Sequence, residues 1–240
     1  DWNRALNAAD SALTKGDYKE AQRRLTSAVK RAASFGPADW RSAGAEFNLG
    51  NVHLASGALD QAAATLDKAQ AKYIKLFSAK GGPLIASHAA LGQLALVRGE
   101  LPKAKTKFNE ALTAAQTHPD SLRVAPLLGL ASIARIQGEW TRAETHLAAA
   151  EQSARSAPKE VQARVQVERA QLAMAQGDRE SANTALRQAA DAVENSPERA
   201  VYVAEITLAQ ATIAQVWGQL TTAHETFKAA QELWESNARE

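Results

Sequence analysis

Small, apolar and polar positions recur along this 240-residue chain in register with six glycines. These are Gly16, Gly57, Gly99, Gly138, Gly177 and Gly218, spaced 41, 42, 39, 39 and 41 residues apart. Five residues after each stands alanine (Ala21, Ala62, Ala104, Ala143, Ala182, Ala223), and twelve after stands alanine again (Ala28, Ala69, Ala111, Ala150, Ala189, Ala230). Nine after stands a large apolar residue: Leu25, Leu66, Phe108, Leu147, Leu186 or Phe227. Seven before stands a residue with almost no side chain: Ala9, Gly50, Gly92, Ala131, Ala170 or Ala211. Six before, the slot is polar throughout: Asp10, Asn51, Gln93, Ser132, Gln171 and Thr212. Four residues upstream of that it is apolar: Leu6, Phe47, Ala89, Leu128, Val167 and Leu208. Chance does not fill two alanine slots in all six occurrences. Self-similarity at this period marks a stacked helical array.

Each unit reads as two helices around its glycine. In the second, Asp39 is placed to cap a helix over Trp40–Ala55, Gly57 supplies the turn, and a second helix runs from about Leu59 to Phe77. Gly81-Gly82-Pro83 then breaks the pattern, as do Gly36-Pro37, His118-Pro119-Asp120, Ala157-Pro158 and Ser196-Pro197 elsewhere. Prolines are thus expected between units and glycines within them. Six hairpins, about twelve helices, follow, as one continuous domain over 1–240 with units at roughly 1–36, 37–80, 81–118, 119–157, 158–196 and 197–240. The small residues seven before and five after the glycine are expected to face each other within a hairpin. The large residue nine after is expected to fill the space where hairpins meet.

The spacing of the small, Gly, Ala, Leu/Phe and Ala slots resembles the tetratricopeptide repeat, over essentially the whole chain. The period of 39–42 residues exceeds the usual ~34. Long units of this kind are similar to the kinesin-light-chain type and to related bacterial arrays. Phe35-Gly36-Pro37 followed by Ala45-Glu46-Phe47-Asn48-Leu49-Gly50-Asn51 carries that likeness most clearly. The resemblance implies an all-α, right-handed α-solenoid whose first helices line a concave groove. It also implies that the paired slots Phe47 and Asn51, Gln93, Leu128 and Ser132, Val167 and Gln171, and Leu208 and Thr212 point into that groove. Family members that clamp a C-terminal carboxylate carry lysine where this chain has Phe47, so only Asn51 matches that clamp. An apolar-plus-amide groove instead suits a helix or an extended segment with hydrophobic anchors.

Charge adds little at first sight: 28 basic residues face 26 acidic ones. Residues 1–120 nevertheless hold 16 basic and 11 acidic, against 12 and 15 in residues 121–240. No nucleic-acid partner is expected from so dispersed a basic surface. Lys68, Lys72 and Lys75 share one helix face and read as an ordinary solvated stripe. There is no cysteine, which excludes disulfides and thiolate metal sites. That suits an extracytoplasmic bacterial protein as well as a cytosolic one, with the periplasm or envelope slightly favoured. No apolar run reaches a membrane span. A start at Asp1 without methionine reads as a processed piece of a longer protein.

Candidate chemistry is sparse. No two of His53, His88, His118, His146 and His224 stand three or four apart, so no helical metal-ligand pair exists, and neither a nucleophile elbow nor a phosphate loop is present. The chain is expected to be a non-enzymatic scaffold without cofactor, binding a protein or peptide in the groove. The alternative is a sensor module of a larger regulator, holding a small effector. Trp217, Leu220, Phe227 and Trp234 form an apolar stripe on the last hairpin. It is expected to meet further chain or a second subunit.

Overall fold

The computed structural model describes residues 2–36, 39–77, 81–196 and 199–237, and of 199–201, 205 and 234–237 the backbone only. Twelve α-helices form among the described residues, and no strand. They are α1 Trp2–Thr14, α2 Tyr18–Ala32, α3 Trp40–Ala55, α4 Leu59–Leu76, α5 Gly82–Val97, α6 Leu101–Ala114, α7 Val124–Ile136, α8 Trp140–Ala154, α9 Lys159–Ala175, α10 Arg179–Val193, α11 Arg199–Val216 and α12 Leu220–Asn237. None is long and apolar enough to cross a membrane. The chain divides into two compact units, the first holding residues 1–13 and 17–129, the second residues 130–240 together with 14–16.

The six hairpin turns are built alike. Each turn glycine has φ between 71° and 79°, a left-handed backbone that a β-carbon disfavours. In each, the N–H one residue after the glycine donates to the carbonyl four residues before it, as in Ala58 N to His53 O at 2.8 Å and Glu100 N to Ala95 O at 2.8 Å. The following helix then starts at once, for example with Ala104 N donating to Glu100 O. Carbonyls orphaned at the end of one helix are thereby satisfied in the act of starting the next.

The alanines five and twelve after the glycine are buried in all six units, at no more than 3% exposure. The small slot seven before is buried in all six as well. Its partner differs from expectation. A β-carbon on Gly50 would lie 2.7 Å from Leu66, and one on Gly92 would lie 2.7 Å from Phe108. The small residue therefore makes room for the large residue nine after the turn in its own hairpin. Phe108 also reaches the next first helix, where a β-carbon on Gly129 would come within 2.2 Å of its ring. A ring larger than leucine is housed by two glycines instead of one, and close packing leaves no other way to fit it.

Prolines also depart from expectation. Pro102 lies in the first turn of α6 and Pro126 in that of α7, whereas Gly81-Gly82-Pro83 does mark the break before the third unit, with Gly82-Pro83 opening α5. All three positions tolerate proline because first-turn N–H groups have no intrahelical acceptor. Asp39 does cap α3, its carboxylate accepting from Arg41 N at 2.9 Å, while α4 ends at Leu76, one residue early. Pro37 and Pro197 lie outside the described residues.

Candidate functional site

In the first unit, α1 and α3 lie side by side and enclose a cleft of about 330 Å³. Asn7 and Asp10 come from α1, Asn48 and Asn51 from α3, and Leu6, Leu13 and Leu25 supply its apolar part. Two of the predicted polar slots, Asp10 and Asn51, thus meet across one opening. Asn7 and Asn48, three residues upstream of each, double the amide content. These two were not read from the sequence, because the residue nine before the turn glycine is not uniformly polar: elsewhere it is Ala90, Gly129, Glu168 or Ala209.

Phe47, the apolar partner of Asn51, is half-buried and packs its ring 6.2 Å from that of Tyr73. Burial pushes the Tyr73 hydroxyl up to about 12. One turn along, Gln93 is exposed. His53, on the same helix as Asn51, is buried, and desolvation holds its pKa below the usual histidine value. His88 on α5 has Nδ1 3.1 Å from Gln70 Nε2 and 2.9 Å from a Glu110 carboxylate oxygen. Burial lowers its pKa too, against the pull of Glu110.

The second unit treats the same slots differently. Leu128 belongs to the first unit by a single residue, and it and Ser132 are half-buried on α7. Gln171 on α9 is engaged: Arg135 Nη2 donates to its side-chain oxygen at 2.8 Å, and Arg135 Nε donates to Glu168 at 3.1 Å. Arg135 stands three before its turn glycine, where the first unit has Leu13, Leu54 and Leu96. Val167 packs against the core of α9, α10 and α11, whereas Leu208 is 45% exposed and Thr212 turns its hydroxyl back to Leu208 O at 2.9 Å.

The lysine stripe is less free than its periodicity suggests. Lys68 and Lys72 both reach one carboxylate oxygen of the buried Glu46, at 3.0 and 2.8 Å, and Lys72 also donates to Ser42. On the last hairpin, Trp217 is half-buried against the same core as Val167, with the Arg179 guanidinium 5.6 Å from its ring centroid. Leu220 is 69% exposed and Phe227 half-buried, while the Trp234 side chain lies outside the described residues.

The profile of the tetratricopeptide repeat matches residues 6–75 and 89–159, more than half of the sequence. The chain belongs to the tetratricopeptide repeat family. No curated protein matches it. Among solved structures, it is similar to a Rap protein complexed with Competence and Sporulation Factor, at 14% identity and a TM-score of 0.78. That likeness covers 98% of this chain and 64% of the other, so the chain spans less than two thirds of that relative's length. It is also similar to the Rap conjugation gene regulator of plasmid pLS20 in complex with the Phr* peptide (18% identity, 99% and 74% covered, TM-score 0.73). A third similar structure is that of nearly identical TPR-like repeats of a kinesin light chain from Podosopora anserina (19% identity, 81% and 95% covered, TM-score 0.58). At these identities the likeness is one of fold.

Proposed function

We propose that this tetratricopeptide repeat protein is a non-enzymatic scaffold that binds a peptide or protein segment along the face of its first helices. The observation that carries this reading is the cleft between α1 and α3, where four polar side chains, Asn7, Asp10, Asn48 and Asn51, border a leucine-lined floor. Amides offer donors and acceptors together, so they can pair with an extended backbone whatever its sequence. The leucines supply contact area for an apolar anchor. Two solved Rap structures of the same fold were determined in complex with Competence and Sporulation Factor and with the Phr* peptide, which is compatible with peptide capture by such a face.

Within the same unit, Gln93 on α5 adds a further exposed amide in this reading. A peptide selected from a random display library should lose at least about fivefold in affinity by calorimetry when Asn48 and Asn51 are both changed to Ala, a loss of about 1 kcal/mol. Lys75→Gln should leave it unchanged. Selected peptides that bind the double variant as well as the parent protein would place the site elsewhere.

A further inference from the structure

A second opening lies between α1 and α2, and the groove reading does not use it. It has a volume of about 350 Å³ and is lined by Arg4, Arg23, Arg24 and Arg31, with Ser27 and Ala5. A shallower depression of about 410 Å³ on α2 shares Arg23 and Ser27 with it and adds Lys19 and Lys30. Six cationic side chains therefore line one continuous surface, and the one carboxylate described in contact with them is that of Glu20.

We infer that this arginine cleft on the first hairpin is a docking site for an acidic segment of a partner protein. The repeat architecture does not call for these arginines. At the slot of Arg23, seven after the turn glycine, the other units carry Ala64, Thr106, Thr145, Thr184 and Glu225. At the slot of Arg31 they carry Lys72, Ala114, Ser153, Ala192 and Leu233, of which Ala114 and Ser153 are buried. A face made polar for solubility alone would mix both signs of charge. Here six cations face the single carboxylate of Glu20, and a surface so strongly biased concentrates oppositely charged ligands from a distance.

The chemistry of the cleft selects carboxylates. Arg23 grips Glu20 with two nitrogens, Nε to one carboxylate oxygen at 2.6 Å and Nη2 to the other at 2.5 Å, and Arg24 Nε adds a third contact at 2.6 Å. The guanidinium groups are thus already oriented for forked carboxylate binding. Arg23 and Arg24 are 68% and 43% exposed in these pairs, and exposed pairs hold weakly enough for an incoming carboxylate to compete. Arg31 contributes a guanidinium whose Nε has only a long contact, 3.4 Å, to Ser27 Oγ. Nucleic acid fits less well because no aromatic side chain lines the surface to stack a base. A membrane fits less well because Ala5, the one apolar lining residue among those described, is too small to insert.

Fluorescence anisotropy tests the inference, with a labelled ten-residue peptide of alternating Glu and Ser and a Gln/Ser peptide as control. The 240-residue protein should bind the acidic peptide at least tenfold more tightly than the neutral one, and the affinity should fall with added salt. Arg24→Gln with Arg31→Gln should weaken it at least tenfold while the melting curve stays put, and Lys75→Gln should not. Asn48→Ala with Asn51→Ala should also leave it intact, which separates this site from the groove. Binding that is absent, or weakened equally by Lys75→Gln, would overturn the inference. So would equal or tighter binding of a single-stranded oligonucleotide of the same charge, or of vesicles containing phosphatidylserine.

Discussion

The two units build the same hairpins and finish their first-helix faces in opposite ways. In the first, Leu13 stands three before the turn glycine, and the cleft beside it is bordered by Asn48 and Asn51. In the second, Arg135 occupies that slot and spans from α7 to α9, holding Glu168 and Gln171 together. A leucine leaves the neighbouring amide available to a ligand. An arginine consumes it. One polar slot, repeated six times in the sequence, is thus left open in one place and bound into the packing in another, and the residue that decides which stands three before the turn glycine of the preceding hairpin.

The largest effect should come from the shared packing. Gly129→Val would drive a side chain into the Phe108 ring and should cost about 3 kcal/mol in chemical denaturation. Combining it with Phe108→Leu should recover part of that loss, since neighbours of this kind couple. A purely additive pair would break the account of two glycines housing one ring. Ala104→Leu in the first unit and Ala143→Leu in the second should each cost about 1–3 kcal/mol, because the slot is fully buried in both. At the exposed Gln188 the same change should stay under about 0.5 kcal/mol. Equal melting points for the three would dissolve the repeat register.

Below these stands the difference between the faces. Glu168→Gln leaves the Arg135 guanidinium, 19% exposed, without its anionic partner and should cost about 1–3 kcal/mol. Asn51→Ala should cost under about 0.5 kcal/mol and act on ligand affinity instead. If Asn51→Ala destabilised as much as Glu168→Gln, the contrast drawn here would fail.

The two units should also part on mild acidification. His53 and His88 both lie in the first unit, and both are held below the ordinary 6.5 by burial. The unfolded chain therefore binds more protons than the folded one below about pH 6.5, so their contribution to stability is present above that pH and is lost as pH falls. Hydrogen exchange in α3 and α5 should quicken between pH 7.5 and 5.5 more than in α9 and α10, and a uniform response would refute this. Further down, Asp39 and Glu20, held at about 2 by Arg41 and by Arg23 with Arg24, contribute above about pH 4 and lose that contribution towards pH 2. Asp39→Asn should flatten that last part of the acid transition.

Much of the fold was legible because turn glycines and buried alanines are local and nearly invariant demands. A left-handed turn needs glycine, and a close helix contact needs a small residue, so both appear in every unit. The partner of the small slot was misread because sequence spacing does not show how far a side chain leans along its helix. Gly50 proved to meet Leu66, and Gly92 to meet Phe108. The lysine stripe at 68, 72 and 75 looked free for a similar reason: its counter-charge, Glu46, lies 26 residues from Lys72 in sequence and on another helix.

The amino-acid sequence by itself determined the period, the helix count, the turn positions and the family, all of which rest on backbone geometry and on contacts repeated in each unit. Tertiary structure alone decided which polar slots are available. Availability depends on whether the side chain facing each slot from the preceding hairpin can hydrogen-bond it, and for Gln171 that neighbour, Arg135, lies 36 residues away in sequence. Asn51 and Gln171 are alike in the sequence, and Arg135 makes them different.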